Sequence, residues 1–190
     1  MNKNISEKTI YSTKSGVSGI ILDAMLKEVN LLTPLPSMVG PEIEMKSIRD
    51  SKTYWLPWDH WIAGILHNMF ISANNDFFHY DIDHFDSGIQ VLYYEKGSFF
   101  KWHIDGKSTA EKEEQNELNK ERKLSMSLLL TDDYEGGHLE FEYIPEERLS
   151  LKPDIGEAII FPSWIPHRVT PVTSGERICI TSWMNGPCFK

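Results

Sequence analysis

The sequence predicts a mainly β fold with flanking α-helices, its short antiparallel strands forming a closed or double-sheet structure. Three observations carry this. Two stretches in the first 75 residues place apolar side chains at mixed three- and four-residue spacing, the signature of a helix with one buried stripe. From residue 77 onward the period shortens to two, and clusters of Gly, Pro, Asp and Ser break the chain at short intervals. No internal repeat or second composition regime interrupts this order, and helices followed by many short strands give a β structure with helices packed outside. At 190 residues and 41% hydrophobic, the chain has the length of a single domain, 1–190, with a helical part over about 16–75 and a β core over about 77–184.

Taken in order, residues 1–15 are polar and read as loosely held. Val17, Ile20, Ile21, Ala24, Met25 and Val29 line one face of a helix over 16–30, ended by Thr33-Pro34-Leu35-Pro36. Residues 37–52 carry little pattern beyond a possible strand at 43–48. Pro57 precedes a second helix, with Trp58, Trp61, Ile62, Ile65, Leu66, Met69 and Phe70 at helical spacing and Asn74-Asn75 at its end. Alternation over 77–84 predicts a strand. Further strands are expected at 88–95, 98–104, 122–131, 138–143, 157–161, 167–172 and 176–184, separated by turns such as Tyr134-Glu135-Gly136-Gly137 and Thr173-Ser174-Gly175.

Composition narrows the function. The net charge is -9, which argues against the basic surface a duplex-binding protein needs, so no nucleic acid is expected as partner. No apolar run approaches the roughly 20 residues of a membrane span, and the N-terminus has no apolar signal region. Cys179 and Cys188 stand in neither a metal-type pair nor a disulfide framework, which fits a reducing, cytoplasmic setting.

The stretch from Gln90 to Gly106 carries the chemistry. Two strands joined by Lys96-Gly97-Ser98 end in His103-Ile104-Asp105. Alternate strand residues share a face, so an imidazole and a carboxylate stand side by side with about 7 Å between Cα atoms and reach one metal ion. His167, opening a strand after the Pro-rich turn 162–166, is the best third ligand. Two His and one carboxylate leave positions open, the arrangement of non-haem Fe(II) oxygenases. A competitor is the run His79, Asp81, Asp83, His84 and Asp86, whose plainer explanation is a half-exposed polar strand face. If residues 171–177 form a hairpin about Ser174, Arg177 pairs opposite Pro171, about 13 Å from His167. A short dicarboxylate that chelates the metal and offers its far end to Arg177 spans the remainder, which is the shape of 2-oxoglutarate; a surface cation on an edge strand is the alternative. Tyr94 is the natural second donor, Tyr93 points to the opposite face, and Trp183 and Phe100 either wall the pocket or pack in the core.

Together the residues resemble a known family. Tyr94-x-x-Gly97, His103-x-Asp105, Leu124-Ser125-x-Ser127-Leu128-x-Leu130, Tyr134-Glu135-Gly136-Gly137-x-Leu139-x-Phe141, Gly156-Glu157-Ala158-x-x-Phe161-Pro162, His167-x-Val169-x-Pro171-Val172 and Gly175-Glu176-Arg177 follow one another as in the Fe(II)/2-oxoglutarate-dependent dioxygenases, prolyl 4-hydroxylase-like branch. The resemblance covers about residues 88–184. It implies a double-stranded β-helix, or cupin-like jelly roll, with iron held by His103, Asp105 and His167 and 2-oxoglutarate by Arg177 and Tyr94. It implies O2 as oxidant, ascorbate as an optional addition, and a prolyl side chain of a peptide or protein as substrate. A free amino acid or small metabolite on the same scaffold is the alternative, and a jelly-roll binding module without chemistry is the alternative of another class. Two features depart from the family pattern: His138 in the Gly-Gly-x-Leu segment, and the seventeen residues 107–123, five of each charge, which form either a solvated loop or a lid.

Overall fold

The computed structural model describes residues 9–13, 17–37, 46–86, 88–106, 120–144 and 147–188. The bulk of the charged segment, 107–119, lies outside the described residues, as do residues 43–45 of the strand expected at 43–48; residues 46–48 form a turn.

The first helix, α1 (Gly19–Val29), buries Leu22, Met25 and Val29. The buried face is thus turned from the expected stripe: Met25 and Val29 belong to both, Leu22 replaces Ile21, and Ile20 and Ala24 face outward. The helix follows a short strand, β1 (Tyr11–Ser12), within the segment expected to be loose. Three strands that the sequence reading passed over come next: β2 (Leu35–Pro36), β3 (Arg49–Asp50) and β4 (Lys52–Pro57). In the second helix, α2 (Trp61–Ala73), the His60 ring caps the start by accepting from the Ile62 amide, and Ile62, Leu66 and Phe70 are fully buried.

The expected strand at 77–84 does not form. The helix continues as a π-helical turn, Asn74–Phe78, and stops at His79, which has a left-handed backbone. The Asn74 side chain explains this. It donates to Tyr80 O at 3.0 Å and accepts from Tyr80 N at 2.9 Å, taking the place of a strand partner. Only β5 (His84–Phe85) is extended in this region.

The remaining strands are β6 (Gly88–Tyr94), β7 (Phe99–His103), β8 (Lys120–Leu129), β9 (Tyr134–Gly136), β10 (Leu139–Ile144), β11 (Glu147–Leu151), β12 (Ala158–Pro162), β13 (His167–Val169), β14 (Val172–Gly175) and β15 (Arg177–Pro187). Residues 120–123, read with the charged segment, thus open β8. Among the described residues the strands form a major sheet in the order β1-β12-β8-β15-β6-β4-β2 with β5 beside β15, a minor sheet β11-β10-β13-β7-β3, and a β14-β9 pair. This is the jelly-roll architecture expected. One core lies between α1, α2 and the major sheet, and a second, around Leu92, Phe141, Phe161 and Val169, lies between the two sheets.

The hairpin expected over 171–177 is replaced by a crossing between sheets. β14 pairs with β9, while Arg177 pairs with Tyr94 of β6 and not with Pro171. Gly175 permits the crossing: its φ is 72°, and a Cβ there would lie 2.0 Å from Asp133 O.

Candidate functional site

The site lies between the two sheets, in a pocket that residues of both line. His103 ends β7 and His167 begins β13, and the two are direct cross-strand partners. Their ring centroids are 4.1 Å apart. Asp105 follows β7, its amide held by Ser163 O at 2.9 Å. One Asp105 oxygen lies 3.5 Å from His103 Nε2 and the other 3.5 Å from His167 Nε2. Three potential ligand atoms therefore lie within 4.8 Å of one another, and no second such group occurs among the described residues. The competing run disperses: His84 is bound to Asp83 and Asn185, and Asp86 holds Arg122.

The hydrogen bonds prepare this cluster for a cation. His103 Nδ1 donates to Lys101 O at 2.8 Å and His167 Nδ1 to Ile165 O at 2.9 Å. A carbonyl only accepts, so Nδ1 carries a proton in each ring and Nε2 is the atom turned toward the cluster. Burial pushes His167 down to about 4, against the opposing pull of Asp105, so its ring is neutral at pH 7. Burial would raise the Asp105 carboxyl, but the His167 and His103 rings and the Trp183 N–H outweigh it and hold it well below the usual carboxylate range. The Trp183 indole donates to Asp105 Oδ2 at 2.9 Å, joining the major sheet to the cluster. Two imidazoles with Nε2 turned inward and an ionised carboxylate, with one open side, fit Fe(II).

The other end of the cavity is cationic. Arg177 is 1% exposed, with Nη1 on Cys179 Sγ at 2.8 Å and Cζ 5.5 Å from the Tyr94 ring centroid. Its Nε and Nη2 are buried with no partner. Two guanidinium nitrogens with unmet N–H groups call for a bidentate anion, and the distal carboxylate of 2-oxoglutarate fits. Burial pushes the Tyr94 phenol up to about 12, so it remains a neutral donor facing the cavity. Tyr93 points the other way and donates to Val29 O.

Trp183 and Phe100 both line the cavity, and the Phe100 ring stacks on His103 at 3.5 Å. His138 does not: its ring meets Ser150. Sequence reasoning missed Arg49, Gln90 and Cys179, which line the cavity, and Tyr134, which crowds Arg177. The Gly-Gly turn held a signal for the last. A Cβ on Gly137 would lie 3.0 Å from Arg177 Cδ and 3.2 Å from the Tyr134 ring, so the bare backbone makes room for the guanidinium.

A jelly roll with two imidazoles, a carboxylate and a buried arginine in one cavity is the architecture of a non-haem iron oxygenase. Residues 89–185 match the model of the 2OG-Fe(II) oxygenase superfamily, and the chain belongs to that family. Membership brings Fe(II), 2-oxoglutarate and O2 as cofactor, cosubstrate and oxidant. A PKHD-type hydroxylase of Alteromonas mediterranea is 46% identical over 63 residues, 32% of this chain and 27% of that protein. The chain thus spans about a quarter of that curated relative's length. A prolyl-4-hydroxylase of Pseudomonas putida superposes with a TM-score of 0.72 at 18% identity, over 95% of this chain and 94% of that one. A prolyl hydroxylase of Trichoplax adhaerens, in complex with a hypoxia inducible factor peptide fragment, also gives 0.72, at 17% identity over 93% and 83%. Among the described residues, no helix is long and apolar enough to cross a membrane.

Proposed function

We propose that this protein hydroxylates an unactivated C–H bond with Fe(II), O2 and 2-oxoglutarate, and that its substrate is a prolyl residue in a peptide or protein. His103, Asp105 and His167 hold the iron; Arg177 and Tyr94 hold 2-oxoglutarate. One observation carries this reading: the cluster of three candidate ligands shares its cavity with a buried guanidinium that has two unpartnered nitrogens. Iron and 2-oxoglutarate held there would supply the oxidising chemistry, one oxygen of O2 entering the substrate as hydroxyl and the other entering the succinate formed with CO2.

The chain's own residues do the rest. Lys101 O and Ile165 O fix the two imidazoles with Nε2 inward, and Trp183 fixes the carboxylate. Leu92, Leu139, Phe161 and Val169 give the cavity apolar walls that exclude water. The prolyl substrate is supported by the likeness of fold to prolyl hydroxylases. Net charge -9 accords with a partner other than nucleic acid, and two free cysteines accord with a cytoplasmic setting. A free amino acid or small metabolite is the second reading, favoured by the buried Arg49 taken up below.

The test is succinate release with Fe(II) and 2-oxoglutarate, with and without a proline-containing peptide. Release is expected, stimulated by peptide, and lost in His103→Ala. Arg177→Ala is expected to raise the half-saturating 2-oxoglutarate concentration at least about tenfold, the loss of a charge-assisted hydrogen bond. Release unaffected by His103→Ala overturns the ligand assignment. Stimulation by free proline and not by peptide overturns the peptide substrate.

A further inference from the structure

The five arginines of the chain sort in an unexpected way. Arg122, Arg148 and Arg168, with side chains 23%, 53% and 34% exposed, each pair with a carboxylate: Asp86, Glu142 and Glu140. Arg177 and Arg49, 1% and 7% exposed, pair with no carboxylate among the described residues. Electrostatics demands the reverse, because a buried cation loses its hydration and needs a counter-charge most. Both unpaired guanidinium groups line the cavity. Arg177 is answered by the cosubstrate; Arg49 needs an anion of its own.

Arg49 sits on β3, the edge strand of the minor sheet, directly opposite Phe100. Its guanidinium lies over the Phe100 ring at 4.7 Å, and that ring stacks on His103. Arg49 is thus one aromatic ring from the candidate iron site. Its Nε donates to Ser51 Oγ at 3.1 Å, and Nη2 reaches Gln90 Oε1 at 3.5 Å, a long contact. Nη1 makes no hydrogen bond to a described residue. Thr181 Oγ1 also turns to Gln90 Oε1, at 3.5 Å, which leaves the Gln90 amide N–H groups available beside the guanidinium. The charges agree. With Fe(II), dianionic 2-oxoglutarate, ionised Asp105 and both arginines in place, the cavity holds one positive charge in excess, which a monoanionic substrate cancels.

We propose that Arg49, with Gln90 beside it, receives a carboxylate of the primary substrate, so that the molecule hydroxylated is an acid: a free amino acid, or a peptide presenting its terminal carboxylate. The proposal rests on the reading that iron and 2-oxoglutarate occupy this cavity. It sharpens the substrate class, because the carboxylate anchors the substrate at the cavity edge while a C–H bond a few atoms away is presented beside His103.

The test is thermal unfolding of the protein loaded with Mn(II) and N-oxalylglycine, an unreactive mimic of the cosubstrate. Each of the free amino acids is titrated against its primary amide, and short proline-ending peptides with free C-termini against their amidated forms. At least one acid is expected to raise Tm by a few degrees while its amide does not. Arg49→Gln is expected to weaken the binding of that acid at least tenfold, and Arg49→Lys, which keeps the charge without the planar fork, to recover part of the loss. A response among free amino acids alone or among peptides alone identifies the source of the carboxylate. No response to any acid, equal responses to acid and amide, or an undiminished response in Arg49→Gln overturns the proposal. The shift produced by Mn(II) and N-oxalylglycine alone is expected to survive Arg49→Gln and to be lost in Arg177→Ala. Its absence from the unsubstituted protein overturns the cosubstrate site itself, separately from the role of Arg49.

Discussion

At the scale of single residues, the site depends on where protons and lone pairs are fixed. Trp183 touches Asp105 and no other member of the cluster through its N–H, so Trp183→Phe removes that hydrogen bond while keeping an aromatic ring against Arg122 and Trp55. It is expected to weaken Fe(II) or Mn(II) binding by about 10–100-fold in anaerobic calorimetry, the usual cost of losing an outer partner of a ligand. His167 sets a pH dependence. Burial lowers it from 6.5 to about 4 in the folded protein, so between those values the unfolded chain binds the proton and the native chain does not. Stability of the metal-free protein is therefore whole above pH 6.5 and falls as pH drops toward 4, by up to about 1.4 kcal/mol per pH unit. Thermal unfolding from pH 7.5 to 5 is expected to show a steeper fall for the native sequence than for His167→Gln; parallel curves would contradict the assignment. The H-x-D spelling pointed to His103 and Asp105 as neighbours, although strand alternation does not set their geometry: β7 ends at His103, and Asp105 is placed by its amide on Ser163 O. Arg49 was not legible, because a lone Arg in a polar stretch looks like any surface cation until a second sheet closes over it.

At the scale of elements, periodicity identified most strands and both helices. It misled at 77–84, where alternating Phe, His, Tyr and Asp gave a strand pattern that Asn74 overrides by pairing with Tyr80. Asn74→Ala removes both bonds and leaves the Tyr80 amide groups unmet. It is expected to cost about 1–3 kcal/mol in denaturant unfolding; a neutral change would mean that the π-helical turn holds itself. The strand β4 escaped notice because it runs into Pro57 and the exposed Trp58, which read as the start of the helical run.

At the scale of the whole molecule, the jelly roll is a device for bringing distant segments together. His103 and His167 are 64 residues apart in the chain and adjacent across β7 and β13. The order of motifs revealed this; the sheet crossing at Gly175 did not show, because Thr173-Ser174-Gly175 has the composition of an ordinary hairpin turn. Since two of the proposed ligands sit on the minor sheet and the third is held by Trp183 of the major sheet, a bound metal would tie the sheets together. Free metal at a hundred times its Kd is expected to stabilise the fold by about 2.7 kcal/mol, and a chelator to reverse this in thermal unfolding. Strand β15 adds a constraint of its own. It carries Arg177 at one end and, six residues on along the same face, Trp183, with Cys179 and Thr181 between. That makes it a ruler laid beside the two reagents. A slip of two residues against β6 or β8 keeps every side chain on its face yet moves guanidinium and indole in concert. A misregistered barrel is therefore blind to metal and diacid together, and either ligand alone is enough to proofread the register of the other's site.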